Sequence, residues 1–140
     1  MHAKVYSATT VGIAAHIVDV EVDLALGMIR WDIVGLPDKA IRESKERLRA
    51  AFKNSGFKLP ERLITINLAP ATLKKEDILF DVPIAIAILH AARLIELDKQ
   101  FIESTLFLGE MTLDGQIRSV RGVLPIVHGA APFCEYLLRP

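Results

Sequence analysis

The sequence predicts a single α+β sandwich, within the α/β class, over residues 1–140. Three observations carry this. Residues 4 to 34 are rich in Val, Ile and Thr and alternate as strands do. Two helical patterns follow, with a further apolar strand pattern between them. Asp114-Gly115 then separates two short apolar runs, the strongest short hairpin signal. Strands first, then helix and strand in alternation, give packed layers around one core. A chain of 140 residues suits one domain. At that size about 68–70% of the unfolded surface is buried on folding. Hydrophobic residues make up 51% and aromatics only 6%, so the core must be mostly aliphatic.

Ile17-Val18-Asp19-Val20-Glu21-Val22-Asp23-Leu24 alternates apolar and acidic side chains, the period of a sheet with one wet face. Gly27 marks a turn, and Ile29-Arg30-Trp31-Asp32-Ile33-Val34 alternates again, so the two runs are expected to pair as a hairpin. Pro37-Asp38 opens a helix in which Asp38 accepts from free N–H groups and Gly56 supplies the left-handed residue past the end. Ile41, Ser44, Leu48, Ala51 and Phe52 share one face of it, and Arg42, Glu43, Lys45, Glu46, Arg47, Arg49 and Lys53 cover the rest. Arg62 to Leu68 is a further strand, ended by Pro70, and residues 70–80 form a polar connection.

Asp81 is expected to cap a second helix through about Ile95, with Pro83 tolerated in its first turn. This helix is apolar nearly all round, which places it between layers with Ile86 and Leu89 in the core. Leu106 to Leu113 and Gln116 to Val120 flank Asp114-Gly115, expected as a type I′ turn. A short helix near Leu124 to Ala130 follows Gly122, and a last strand begins near Glu135.

Seventeen basic and seventeen acidic side chains cancel, so a nucleic-acid or membrane role would have to rest on a local patch. The single cysteine, Cys134, excludes an intrachain disulfide, fits a reducing compartment and reads as a small buried hydrophobe. No apolar segment follows Lys4, so no signal peptide is expected. The longest apolar run, Val82 to Ala92, is about half a membrane span. The chain is therefore expected to be cytoplasmic with no membrane partner. Tyr136 to Pro140 reads as an interrupted strand, so a longer protein is expected.

No glycine precedes Lys-Ser or Lys-Thr, so the phosphate cradle of a P-loop is missing and no cofactor site is expected in this chain. His2, His16, His90 and His128 are too scattered for metal-ligand spacing, and His90 reads as a satisfied core or rim histidine. Glu76, Asp77 and Asp81 cluster, but Asp81 is assigned to a cap, so no metal site is assigned. Lys74-Lys75 is a basic doublet in a loop, and Arg118 and Arg121 bracket the end of the hairpin. These four are the candidate DNA or partner contacts. Arg42, Lys45, Arg49 and Lys53 also share parts of the first helix, but Asp38, Glu43 and Glu46 interleave with them and favour a solvated face.

Ala3 to Ala8, Val34-Gly35-Leu36-Pro37-Asp38, Arg42-Glu43-Ser44, Lys53-Asn54-Ser55-Gly56-Phe57, Asn67-Leu68-Ala69-Pro70, Phe80-Asp81-Val82-Pro83, Phe107-Leu108-Gly109-Glu110 and Val120-Arg121-Gly122-Val123-Leu124-Pro125 follow one another in a specific order. The set resembles the N-terminal domain of the ComM/YifB family of magnesium-chelatase-like AAA+ ATPases, over essentially the whole chain. The resemblance implies a fold shared with the Lon proteolytic domain and a domain of a small-subunit ribosomal protein. It also implies a C-terminal AAA+ ATPase domain using ATP and magnesium, hexameric assembly, a branch-migration helicase activity in competence and transformation, and single-stranded or branched DNA as a partner.

By the same resemblance the Lon nucleophile position falls at Ile78 or Leu79 and the lysine base near Leu124. None of these side chains can serve as nucleophile or base, so no catalytic residue is assigned. Asp77-Ile78-Leu79 also stands where the family commonly has glycine and small residues. The expected role is a non-catalytic domain for ring assembly and DNA engagement. The alternatives are an active peptidase domain and a purely structural oligomerisation module.

Overall fold

The computed structural model describes residues 1–75, 79–120, 123, 126 and 128. Strands β1 (His2–Val11) and β2 (Ala14–Ala25) form an antiparallel hairpin turned at Gly12, whose φ of +62° suits a residue without a Cβ. β3 (Arg30–Val34) leads into α1 (Lys39–Arg42) and α2 (Ser44–Asn54), after which β4 (Leu63–Ala69) re-enters the sheet. The order is β1-β2-β4-β3, with β4 antiparallel to β2 and parallel to β3. Helix α3 (Asp81–Ala91) packs across β1 and β2, and α4 (Lys99–Glu103) lies against β1. β5 (Glu110–Met111) and β6 (Ile117–Arg118) make a small separate hairpin. This is a mixed α+β architecture, as the sequence pattern requires.

The expected hairpin between residues 17–24 and 29–34 does not form; β2 pairs with β1 and β4 instead. Alternation fixes the face that a strand buries, not the strand it sits beside. The helical segment between β3 and β4 brings the chain back in the same direction, and such a crossover yields a parallel pair.

Register builds the core in rows. Leu24, Ile64 and Trp31 are adjacent across three strands; so are Val5, Val20 and Leu68. Ile41, Leu48, Phe52, Ile84 and Ile88 close over them from the helices. Lys4, Asp19, Glu21, Asp23, Asp32 and Asn67 alternate with these positions and form the wet face. Val123, Ile126 and His128 are helical and Ile126 is fully buried, within the short helix expected near 124–130; the remainder of that helix, Cys134 and the strand expected near Glu135 lie outside the described residues.

Three local expectations change. The first helix is two helices meeting at Glu43. Arg47 Nη2 donates to the Ala40 carbonyl at 3.2 Å, occupying the acceptor that the Ser44 N–H would use in an unbroken helix. Asp38 does cap α1, accepting from Ile41 N at 2.8 Å, and Gly56 has φ +79°. Asp81 does not act as a cap: it is the first residue of α3 and its side chain bonds elsewhere. The Asp114-Gly115 turn is not type I′, since only Gly115 has positive φ. Gly115 N bonds to Thr112 O and Thr112 N to Gln116 O, a longer loop with glycine in the left-handed position.

Ile88 is fully buried and Ile86 only partly so, a correction to its expected core position. Ile88→Ala should cost about 2–5 kcal/mol through lost burial and a residual cavity, and Ile86→Ala distinctly less. Urea denaturation of both variants checks this; equal losses would contradict the orientation of α3.

Candidate functional site

The conformation of residues 34–38 is set by close backbone approach. At Gly35, φ is +100° and a Cβ would lie 2.0 Å from the Leu68 carbonyl oxygen, so only glycine fits. Leu36 follows at φ +56°, a left-handed conformation for a residue with a side chain. Lys75 holds this segment at three points. Its N–H donates to Leu36 O at 3.1 Å, its carbonyl accepts from Asp38 N at 3.1 Å, and Nζ donates to Gly35 O at 2.7 Å. Nζ also donates to Pro70 O, beyond the end of β4. The Val-Gly-Leu-Pro-Asp and Asn-Leu-Ala-Pro segments are thus joined by one lysine.

Lys75 was expected to be an exposed contact and is fully buried. Its two carbonyl partners replace water, which lets an ammonium be enclosed. Desolvation pushes its pKa below the ordinary lysine value. No local sequence signal separates it from exposed Lys74, because the partners lie 40 and 5 residues away.

The second polar cluster lies at the start of α3. Asp81 accepts from Arg47 Nε at 2.7 Å, Arg47 Nη2 at 2.9 Å, Ser44 Oγ at 2.5 Å and Met111 N at 3.0 Å. The two-pronged guanidinium contact is the strong form of this pair, and it raises the Arg47 pKa. Four bonds on a fully buried carboxylate tie α2, α3 and β5 together. Sequence reasoning placed Ser44 correctly inward but left Arg47 on the solvated side. The usable signal was their spacing: three residues apart, they share a helix face. Nearby, a Cβ on Gly109 would sit 2.6 Å from Val82 Cγ2, and Gly109 exchanges backbone bonds with Leu79 and Val82.

Of the other candidate contacts, Lys74 and Arg118 are exposed, Arg118 standing opposite Glu110 in the small hairpin. Arg121, Glu76, Asp77, Ile78 and Leu124 lie outside the described residues. Leu79, one of the two expected nucleophile positions, is an apolar core residue. His90 departs from expectation: its Nδ1 is buried with no hydrogen-bond partner among the described residues. Among those residues no group of three or more His, Cys, Asp or Glu side chains could hold a metal ion, and no helix is long and apolar enough to cross a membrane.

These are the features of an α+β domain braced by buried polar contacts, and a model of the ChlI subunit of Mg-chelatase matches residues 20–133. The chain belongs to that magnesium-chelatase-like family, in its ComM/YifB group. Competence protein ComM of Haemophilus influenzae is 44% identical over 128 residues, covering 91% of this chain and 25% of ComM. An uncharacterised Mycobacterium tuberculosis protein is 41% identical over 127 residues, covering 91% and 25%. The uncharacterised YifB of Salmonella typhimurium is 38% identical over 122 residues, covering 87% and 24%. The chain spans about a quarter of the length of these relatives.

Lys75→Met should cost about 1–3 kcal/mol by leaving two carbonyls without their donor. The loss should also depend on pH. Burial makes folded Lys75 release its proton at lower pH than the unfolded chain does. Between the lowered pKa and the ordinary value of about 10.4 the unfolded chain holds more protons, so the Lys75 contribution to stability rises with pH. Denaturant midpoints of both proteins from neutral pH to about 10.4 test the sign; the gap should widen as pH rises.

Proposed function

We propose that this chain is a non-catalytic, Lon-like domain at the N-terminus of a ComM/YifB-type AAA+ ATPase. Its work is to order the ring and to help engage DNA. In the longer protein a C-terminal AAA+ domain would bind ATP and magnesium, the assembly would be a cytoplasmic hexamer that engages single-stranded or branched DNA, and the activity would be that of an ATP-dependent branch-migration helicase in competence. The family membership and the name of the Haemophilus influenzae relative support this reading.

The single observation that carries the non-catalytic part is Leu79, closed into the core where the resemblance expects a nucleophile. A nucleophile needs a hydroxyl and a base in reach of each other. The buried Lys75 amine is bonded to carbonyl oxygens, and the buried Ser44 hydroxyl to Asp81. The chain should therefore remain unlabelled by a serine-directed covalent probe. Stoichiometric labelling, abolished by changing one serine to alanine, would restore the peptidase alternative.

For DNA engagement the remaining contacts are Lys74, Arg118 and Arg121. The Arg118 hairpin packs at the start of α3, through the Met111–Asp81 bond and the Phe80–Gly109 bridge. Each cation held at a phosphate releases a condensed counterion. Losing one such contact should flatten the plot of log K against log salt by about 0.7 for single strands or about 0.9 for duplex. Fluorescence anisotropy of the longer ATPase-containing protein on branched and single-stranded DNA, wild type against K74E/R118E/R121E, measures this. An unchanged slope with assembly and ATPase activity intact would leave the purely structural oligomerisation module as the better reading.

A further inference from the structure

Among the described residues, β3 ends the four-stranded sheet and is hydrogen-bonded on one side only, to β4. A free strand edge offers a row of main-chain donors and acceptors to another strand. Beside β3 lies a depression of about 340 Å³ lined by four consecutive residues, Trp31 to Val34, together with Thr65 of β4 and Arg42 and Lys45. A second depression of about 420 Å³ continues from Trp31 past Ile29, Arg49, Lys53 and Phe57. Trp31 lines both, so the two depressions adjoin as a groove in two parts beside β3 and the α1–α2 helices.

The charge of this groove is one-sided. Arg42 and Lys45 line the first part, and Arg49, Lys53 and Lys58 the second, against only Asp32 and Glu61. Asp32 is already paired with Arg30 at 3.0 Å. The chain as a whole is neutral, so this surplus is a local feature. The helix cations Arg42, Arg49 and Lys53 are exposed, as alternation with Glu43 and Glu46 implies, and they also line the depressions beside β3.

We infer that this groove binds an extended polypeptide segment with carboxylates at every second position, added to the sheet as a strand beside β3. The main-chain edge supplies register and affinity, and the flanking pockets read alternate side chains. The spacings match: two strand residues advance about 6.6 Å, and four helical residues, as from Lys45 to Arg49, advance about 6 Å. Successive carboxylates would thus meet successive cations. A single nucleic-acid strand fits less well. It would leave the peptide edge unused, and stacking of successive bases needs a run of open aromatic faces, where the groove offers one, Phe57, in its second part. Trp31 is only 6% exposed and lies under the Arg49 guanidinium at 5.5 Å.

The test titrates the ¹⁵N-labelled 140-residue chain with an eight-residue peptide alternating Glu and Val. Comparison ligands are the same peptide N-methylated at alternate backbone nitrogens and an oligo-dT of equal length. Binding should shift the amides of residues 30–34 and weaken with salt. N-methylation should weaken it by about tenfold or more, since it removes main-chain donors without touching charge. Arg42→Glu and Lys53→Glu, both at exposed positions, should weaken it without altering the unliganded spectrum beyond their neighbours. Equal binding of the N-methylated peptide would overturn the inference, leaving only nonspecific charge attraction. So would oligo-dT binding in the groove while the peptide does not, or an absence of shifts at residues 30–34.

Discussion

The arrangement of the helical layer depends on the Asp81 carboxylate. It is completely enclosed, yet it makes bonds to α2 through Ser44 and Arg47 and to β5 through Met111. A buried ion pair is weak support for stability by itself, because desolvation offsets the attraction. Its effect here is geometric. Arg47 bonds Asp81 and the Ala40 carbonyl together, and the junction of α1 and α2 falls between Ala40 and Arg47. One carboxylate therefore links the helix just past the break, the start of α3 and the small hairpin. Removing it would leave a guanidinium only 19% exposed without its partner, and that situation typically costs about 3–5 kcal/mol.

Lys75 performs the corresponding task at the end of the sheet. The chain leaves β3 through Gly35, pressed against the Leu68 backbone, and Leu36 in a left-handed conformation. Such a backbone persists only where its surroundings over-determine it. Lys75 supplies that constraint with its amide, its carbonyl and its amine. Several short motifs that mark this sequence therefore resolve into close backbone contacts and the polar groups that hold them. They encode how the layers dock.

What could be read from the sequence follows the range of each interaction. Short-range features were legible: Asp38 as a cap, Gly56 in left-handed geometry, the alternating faces of β2 and β4, and the buried helix α3. Long-range partners were not. The same alternation in β3 is compatible with pairing to β2 or to β4, and only the topology decides. Asp81 has the residue type and position of a cap, yet its partners come from 30 to 37 residues away. In the Lys74-Lys75 doublet the two lysines have opposite fates, because one of them meets carbonyls from distant segments. Of the four basic candidates, Lys75 is thus structural, while Lys74 and Arg118 retain the exposure that a contact requires.

The distribution of charge adds something that the zero net charge conceals. β2 carries Asp19, Glu21 and Asp23 toward the wet face of the sheet, with Lys4 near Asp19 and His2 near Glu21. The α1–α2 side of β3 carries the opposite sign, and among the described residues Arg42, Lys45, Lys53 and Lys58 make no ion pair. Acidic and basic surfaces on different faces of one small domain favour head-to-tail over isologous contacts, since like faces repel. A heterologous contact closes into a ring when its rotation permits. The same polarity would exclude phosphate backbones from the wet face through its carboxylates.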